Sequence, residues 1–185
     1  MKEMSGALEA LLDQAGQETE PKALFGSSNL RGQVAIVTGG SSGIGRAIAM
    51  ELGRCGADIA FCFLDSDSDA RSDAQEVASR LRDLDVNVFL RSCDVRDSKE
   101  VNTFVDDAQK ELGGVQILIN NAGIGADAPV WKMEDDAWEV VVRTNLDGAF
   151  YFTRAVAPFM REQEHGKIVN ITSVVGVTGN PGQAN

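Results

Sequence analysis

Four glycines, Gly39, Gly40, Gly43 and Gly45, crowd the stretch that follows the apolar run Val34-Ala-Ile-Val37. A turn of this kind lets backbone approach a pyrophosphate closely, while the next helix aims its first N–H groups at the anion. The stretch lacks the Gly-Lys-Ser/Thr of a P-loop, so the chemistry it favours is dinucleotide binding over NTP hydrolysis. Further along, polar or small residues close other apolar runs: Cys93-Asp94-Val95, Asn120-Asn121-Ala122-Gly123 and Thr172-Ser173. In an open parallel sheet, ligands sit outside the carboxyl ends of strands, and these are the residues such ends would present. Taken singly, each has a plainer use. Asp94 suits a helix cap or turn, Asn121-Ala122-Gly123 a loop, and Ser173 a turn or cap.

Asn145 stands out by its company. Trp138, Val142, Asn145, Ala149, Phe152, Val156 and Phe159 advance by threes and fours, which predicts one buried helical stripe with Asn145 its only polar member. A buried amide without partners costs about 1–3 kcal/mol, so Asn145 is expected to have designated partners, and its plain use is to bridge backbone groups. Ser173 has no activating base. The only histidine, His165, precedes the same strand at its opposite end, which argues against a serine hydrolase. The three cysteines, Cys55, Cys62 and Cys93, are odd in number and show no C-x-x-C spacing. Reduced thiols in a cytosolic protein are the expectation, and a structural zinc site is excluded.

Strands and helices must alternate to bring these residues together, and the sequence predicts that they do. Strands are expected over 34–37, 58–64, 87–92, 115–120 and 167–172, and helices over 43–54, 69–84, 98–112 (with Ser98 as N-cap) and 134–161. Alternation of this length implies parallel strands with right-handed crossovers. The fold class is α/β, a doubly wound parallel-sheet Rossmann fold of about five strands over residues 30–185. Residues 1–29 read as an N-terminal extension, with one short helix marked by Met4, Leu8, Leu11, Leu12 and Ala15.

Bulk properties fit a soluble domain with a sizeable core: 185 residues, 43% hydrophobic and 24% charged. The net charge of −11 and the pI of about 4.5 disfavour nucleic acid and anionic membranes as partners. No apolar run approaches the ~20 residues of a membrane span, and no secretory signal is visible. A cytoplasmic location is expected.

The segments TGGSSGIG, from Thr38 to Gly45, and GKIVNITSVVGVTGNPGQAN, from Gly166 to Asn185, resemble the short-chain dehydrogenase/reductase family. The likeness is nearest to its 3-oxoacyl-acyl-carrier-protein reductase branch. TGGSSGIG follows the family's T-G-x-x-x-G-x-G, with Gly39, Gly43 and Gly45 as the matching glycines. The resemblance implies a cofactor site made by Thr38, Gly39, Ser41, Ser42, Gly43, Ile44, Gly45, Asp94, Val95, Asn121, Ala122 and Gly123. Asp94 would lie near the adenine ring. Asn145 would hold a water of the proton relay, and Ser173 would hydrogen-bond the substrate carbonyl or alcohol.

The implied reaction is hydride transfer between nicotinamide and a ketone or alcohol, with a 3-oxoacyl thioester as one substrate. Family members place a Tyr-x-x-x-Lys after the Ser, and here the Tyr would fall directly after Asn185. The 185 residues as given are therefore expected to be inactive, with the last strand an uncovered edge and the fragment poorly soluble. A complete parent would be a homo-oligomer, a dimer or tetramer. The alternative is a short, catalytically dead product that binds dinucleotide or pairs with a subunit. A further alternative is an α/β domain that binds no dinucleotide. The cofactor is NADP(H) or NAD(H). Phe63 stands where an NAD-selecting acid is usual, which leans to NADP(H). Ser42 stands where a phosphate-binding Arg is usual, and Asp65, Asp67 and Asp69 lean back to NAD(H), leaving a slight lean to NADP(H).

Overall fold

The computed structural model describes residues 30–185, and the helix expected within residues 1–29 lies outside them. Five strands form one parallel sheet: β1 Val34–Thr38, β2 Asp58–Phe63, β3 Val88–Ser92, β4 Ile117–Asn120 and β5 Lys167–Asn170. Their order is β3-β2-β1-β4-β5. The chain runs outward from β1 to one edge, then returns to β1's other side to continue with β4. A crevice opens where that direction reverses.

Helices cover both faces. They are α1 Gly43–Arg54, α2 Ser68–Arg82, α3 Ser98–Leu112, α4 Asp135–Val142, α5 Gly148–Glu162 and α6 Val175–Thr178, with a 3-10 turn at Val130–Lys132. Side chains alternate across a strand, and the core divides accordingly. Ala35, Val37, Ile59, Phe61 and Ile119 pack with Ala49, Met50, Val77 and Leu81 of α1 and α2. Ile36, Ala60, Cys62 and Leu118 point the other way, onto Val101, Phe104 and Val105 of α3 and Phe152 and Val156 of α5. β1 and β4 are buried along their whole lengths, whereas β5, at the sheet edge, is exposed throughout. Among the described residues no helix is long and apolar enough to cross a membrane.

Local chemistry sets the boundaries. α2 begins at Asp67, whose carboxylate accepts from the N–H groups of Asp69 and Ala70. α3 is capped by Asp97, not by Ser98: Asp97 has extended backbone and accepts from Lys99 and Glu100 N–H, while Ser98 is already helical. α3 ends at Gly113, whose φ of 82° is left-handed.

The single helix expected over 134–161 is interrupted. Arg143–Asp147 forms a π-helical turn between α4 and α5. The wide turn inserts one residue, so the buried stripe N-terminal to it shifts phase. It runs through Val141, Thr144, Gly148, Phe152, Val156 and Met160. Trp138 is 47% exposed, and Asn145 is exposed as well, which corrects the expectation that both are buried. Gly148 belongs in the stripe because a Cβ there would lie 2.9 Å from the Val95 side chain. That close approach seats α5 against the residues that follow β3.

Candidate active site

Thr38, the last residue of β1, organises the crevice. Its Oγ1 accepts from the N–H groups of Asn121 and Ala122, both at 2.9 Å. Asn121 reciprocates, its Nδ2 donating to the carbonyls of Thr38 at 2.9 Å and Gly39 at 3.3 Å. The end of β1 is thus tied to the loop after β4, and the Asn121 amide is spent on the glycine turn.

Within the turn, Gly39 and Gly43 have φ of +65° and +52°, a region other residues rarely adopt. Gly45 is needed for space. A Cβ there would lie 2.1 Å from the Gly39 carbonyl oxygen and 2.4 Å from Asn121 Nδ2. Ser42 caps α1 with its backbone only and makes no side-chain cap bond. The first N–H groups of α1 therefore keep no local acceptor, the condition for binding an anion at a helix start.

Two adjoining cavities open on these residues. One, of about 700 Å³, is lined by Gly39, Ser41, Ser42, Gly43, Ile44, Asp94 and Val95, among others. The second, of about 770 Å³, is lined by Thr38, Asn120, Asn145, Thr172, Ser173 and Asn185, among others. Asn121, Ala122 and Gly123 border both. The structure brings together all the residues of the expected cofactor and catalytic sites except Gly45, which lies beneath the turn and, like Gly40, lines neither cavity.

Several of them are already engaged. The Asp94 carboxylate holds Arg96 through Nε, at 2.9 and 3.0 Å, and Nη2, at 2.6 Å. The Arg96 guanidinium keeps the Asp94 carboxyl below the usual carboxylate range. Asn145 closes a reciprocal pair with Ile124: Oδ1 accepts from Ile124 N–H at 2.9 Å and Nδ2 donates to its carbonyl at 3.0 Å. The backbone-bridging expectation for Asn145 is what these contacts show, at an exposed site instead of a buried one. Ser173 Oγ accepts from Val175 N–H at 3.2 Å, so it turns the chain into α6 while facing the second cavity.

Sequence reasoning missed three features. Asn120 Nδ2 donates to Asn170 Oδ1 at 2.8 Å and Thr153 Oγ1 at 3.2 Å, joining β4, β5 and α5 under the second cavity. Gln183 Nε2 donates to both carboxylate oxygens of Asp127 at 3.0 Å, and Asn185 Nδ2 to the Ala126 carbonyl at 3.1 Å. These bonds draw the last described segment across the cavity mouth. Cys62 and Cys93, distant in sequence, end on adjacent strands. An asparagine closing an apolar strand was the visible sign of the first. The others depend on tertiary register and had none.

Comparison with known proteins agrees with this geometry. The family model described as short chain dehydrogenase matches residues 33–185. The chain is 37% identical over 151 residues to the 3-oxoacyl-(acyl-carrier-protein) reductase FabG of Staphylococcus aureus, covering 82% of this chain and 60% of the relative. It is 40% identical over 157 residues to the FabG of Pseudomonas aeruginosa, covering 85% and 62%. A solved structure assigned as a short-chain alcohol dehydrogenase from Sinorhizobium meliloti superposes with a TM-score of 0.78 at 32% identity, over 84% of this chain and 60% of that one. The chain thus spans about three fifths of the length of these relatives. A match that begins at the strand leading into the glycine turn and runs through Ser173 leaves one assignment: the chain belongs to the short-chain dehydrogenase family of oxidoreductases.

Proposed function

We propose that the protein binds a nicotinamide dinucleotide and serves the interconversion of a ketone and an alcohol, with a 3-oxoacyl thioester as the substrate class. The observation that carries the proposal is the cradle at the glycine turn. Gly39 and Gly43 take the left-handed backbone that bends the turn around the cleft, Gly45 lets the start of α1 pack directly against the Gly39 carbonyl, and the uncapped start of α1 supplies donors beside them. The nicotinamide supplies or accepts the hydride when bound. Gly39, Gly43 and the first turn of α1 would hold the pyrophosphate, and Asp94 and Val95 would border the adenine. Asn145 fixes the 123–125 loop against the cleft, and the Ser173 hydroxyl would accept or donate a hydrogen bond at the substrate oxygen. The sole tyrosine, Tyr151, packs beside Arg154 on α5 and lines neither cavity, so the proposal is best tested through binding.

Reversing the slight lean drawn from Phe63, the reading takes NAD(H) over NADP(H), supported by the acidic wall of the cleft. Asp67, Asp69 and Asp73 line the cavity beyond β2, where a 2′-phosphate would meet like charge. The nearby arginines are engaged: Arg71 with Asp65, Arg96 with Asp94 and Arg46 with Glu76. The reading extends to self-association through α4 and α5, where Trp138, Leu146 and Phe150 are exposed.

Ile44 provides the test because it lines the cavity yet is 64% exposed, so substitution leaves the core intact. Ile44→Asp puts a carboxylate at the start of α1 and is expected to weaken NADH binding by about tenfold or more, ~1.4 kcal/mol. Calorimetry on both proteins reads it. Equal affinity in the variant would contradict the placement of the pyrophosphate, and absence of binding by the parent protein would contradict the function.

A further inference from the structure

All three cysteines are free, and two of them meet. β2 and β3 pair in parallel with Cys62 opposite Arg91 and Phe63 opposite Ser92. Cys93 N–H then donates to the Phe63 carbonyl at 3.0 Å, extending the pairing one step beyond β3. Side chains alternate along a strand, so Cys93 falls on the same face as Arg91 and Cys62. Both cysteines belong to one core cluster, at 1% and 2% exposure. Both also line the 700 Å³ cavity beside Asp94 and Val95. Cys55, at the end of α1, shares none of this and lines neither cavity.

We infer that Cys62 and Cys93 form a redox-active dithiol in the floor of the dinucleotide cleft, oxidised to a disulfide by a small hydroperoxide when the cleft is open and shielded when a dinucleotide fills it. The inference rests on the cleft being the dinucleotide site. The cavity is the route by which a small oxidant reaches thiols that the outer surface covers. The neighbouring Cys62 sulfur, with burial and the carboxylates of Glu100 and Asp94, pushes the Cys93 thiol above the ordinary cysteine range. Cys62 is therefore the attacking sulfur. Its thiolate breaks the O–O bond, becoming a sulfenic acid as an alcohol (water, for hydrogen peroxide) departs with one proton. The Cys93 sulfur then attacks Cys62, forming the S–S bond and expelling water. The two sulfurs together give up two electrons and two protons, and the peroxide takes up both.

The test treats the protein with hydrogen peroxide, with and without NAD+, and maps the thiols by mass spectrometry after alkylating those that remain free. Calorimetry on the same sample reports NAD+ binding. The expected product has lost two hydrogens and contains a Cys62–Cys93 cross-linked peptide, with Cys55 alkylated. Cys62→Ser and Cys93→Ser each abolish the cross-link. NAD+ at about ten times its Kd slows cross-linking about tenfold, because only the free fraction reacts. Peroxide that leaves all three thiols alkylatable, or gives sulfinic acids without a cross-link, overturns the dithiol. Cross-linking at an unchanged rate with NAD+ measurably bound overturns the shielding. An unchanged rate with no heat of binding overturns the dinucleotide reading instead, while the cross-link upholds the dithiol.

Discussion

Thr38→Val tests the hub of the site with little change of shape. Thr38 is 2% exposed, and its Oγ1 is the acceptor for two N–H groups, those of Asn121 and Ala122 at 2.9 Å. Valine has the same outline and no acceptor, so both donors lose their partner at once. A buried donor left unpaired costs about 1–3 kcal/mol. Asn121 and Ala122 are only half-buried, which places each at the low end and the pair at about 2–3 kcal/mol. Thr38→Ser keeps the oxygen and gives up one methyl, for about 1 kcal/mol. Urea unfolding of the three proteins, with m-values compared to confirm a common denatured state, should rank them parent, serine, valine. The valine variant should also bind NADH more weakly, because the loop after β4 is no longer held to the glycine turn. Equal stability of the serine and valine variants, or a more stable valine variant, would refute the assignment of Oγ1 as the acceptor joining β1 to β4.

Other perturbations read the scaffold. Phe152 is fully buried and meets Phe104 edge-on at a centroid distance of 5.8 Å, so Phe152→Ala should cost about 3–5 kcal/mol in urea unfolding. Asp97→Ala removes the cap of α3 and should cost about 1 kcal/mol by the same measurement, whereas Ser98→Ala should change little. Asp94 has its pKa lowered in the fold, first by Arg96. Its contribution is therefore complete above the unfolded carboxylate value of about 3.9 and is lost as pH falls through the folded value. Melting curves of the parent and Asp94→Asn should differ at neutral pH and converge in acid, and a difference that persists at the lowest pH would count against the ion pair.

What the sequence made legible was whatever depends on neighbours along the chain. The apolar runs at Val34–Val37 and Ile117–Ile119 are continuous because both faces of the sheet are covered, and their Gly- or Asn-marked ends fall at the crevice. The glycines at 39, 43 and 45 were readable because positive φ and backbone contact admit little else. The π-turn was hidden, since nothing in the composition of Arg143–Asp147 distinguishes it from α-helix, and its extra residue moved Asn145 out of the predicted stripe. Asp97 displaced Ser98 as the cap because two adjacent cap-competent residues differ only in backbone angles. β5 stops at Asn170 rather than Thr172, where the chain bends toward Ser173 and α6. Asn120 and Asn170 are register partners, and Cys93 shares a face with Cys62 because it lies two residues beyond Arg91, the partner of Cys62; no local pattern encodes either.

The central claim is that the crevice between β1 and β4 receives a dinucleotide, and amide chemical shifts recorded during an NADH titration test it most directly. The account predicts saturable shifts concentrated at Gly39–Gly45, Asp94–Val95 and Asn121–Gly123, with the amino-terminal ends of the same strands unmoved. Shifts that saturate elsewhere on the molecule, or none as NADH is raised to millimolar concentration, would contradict it.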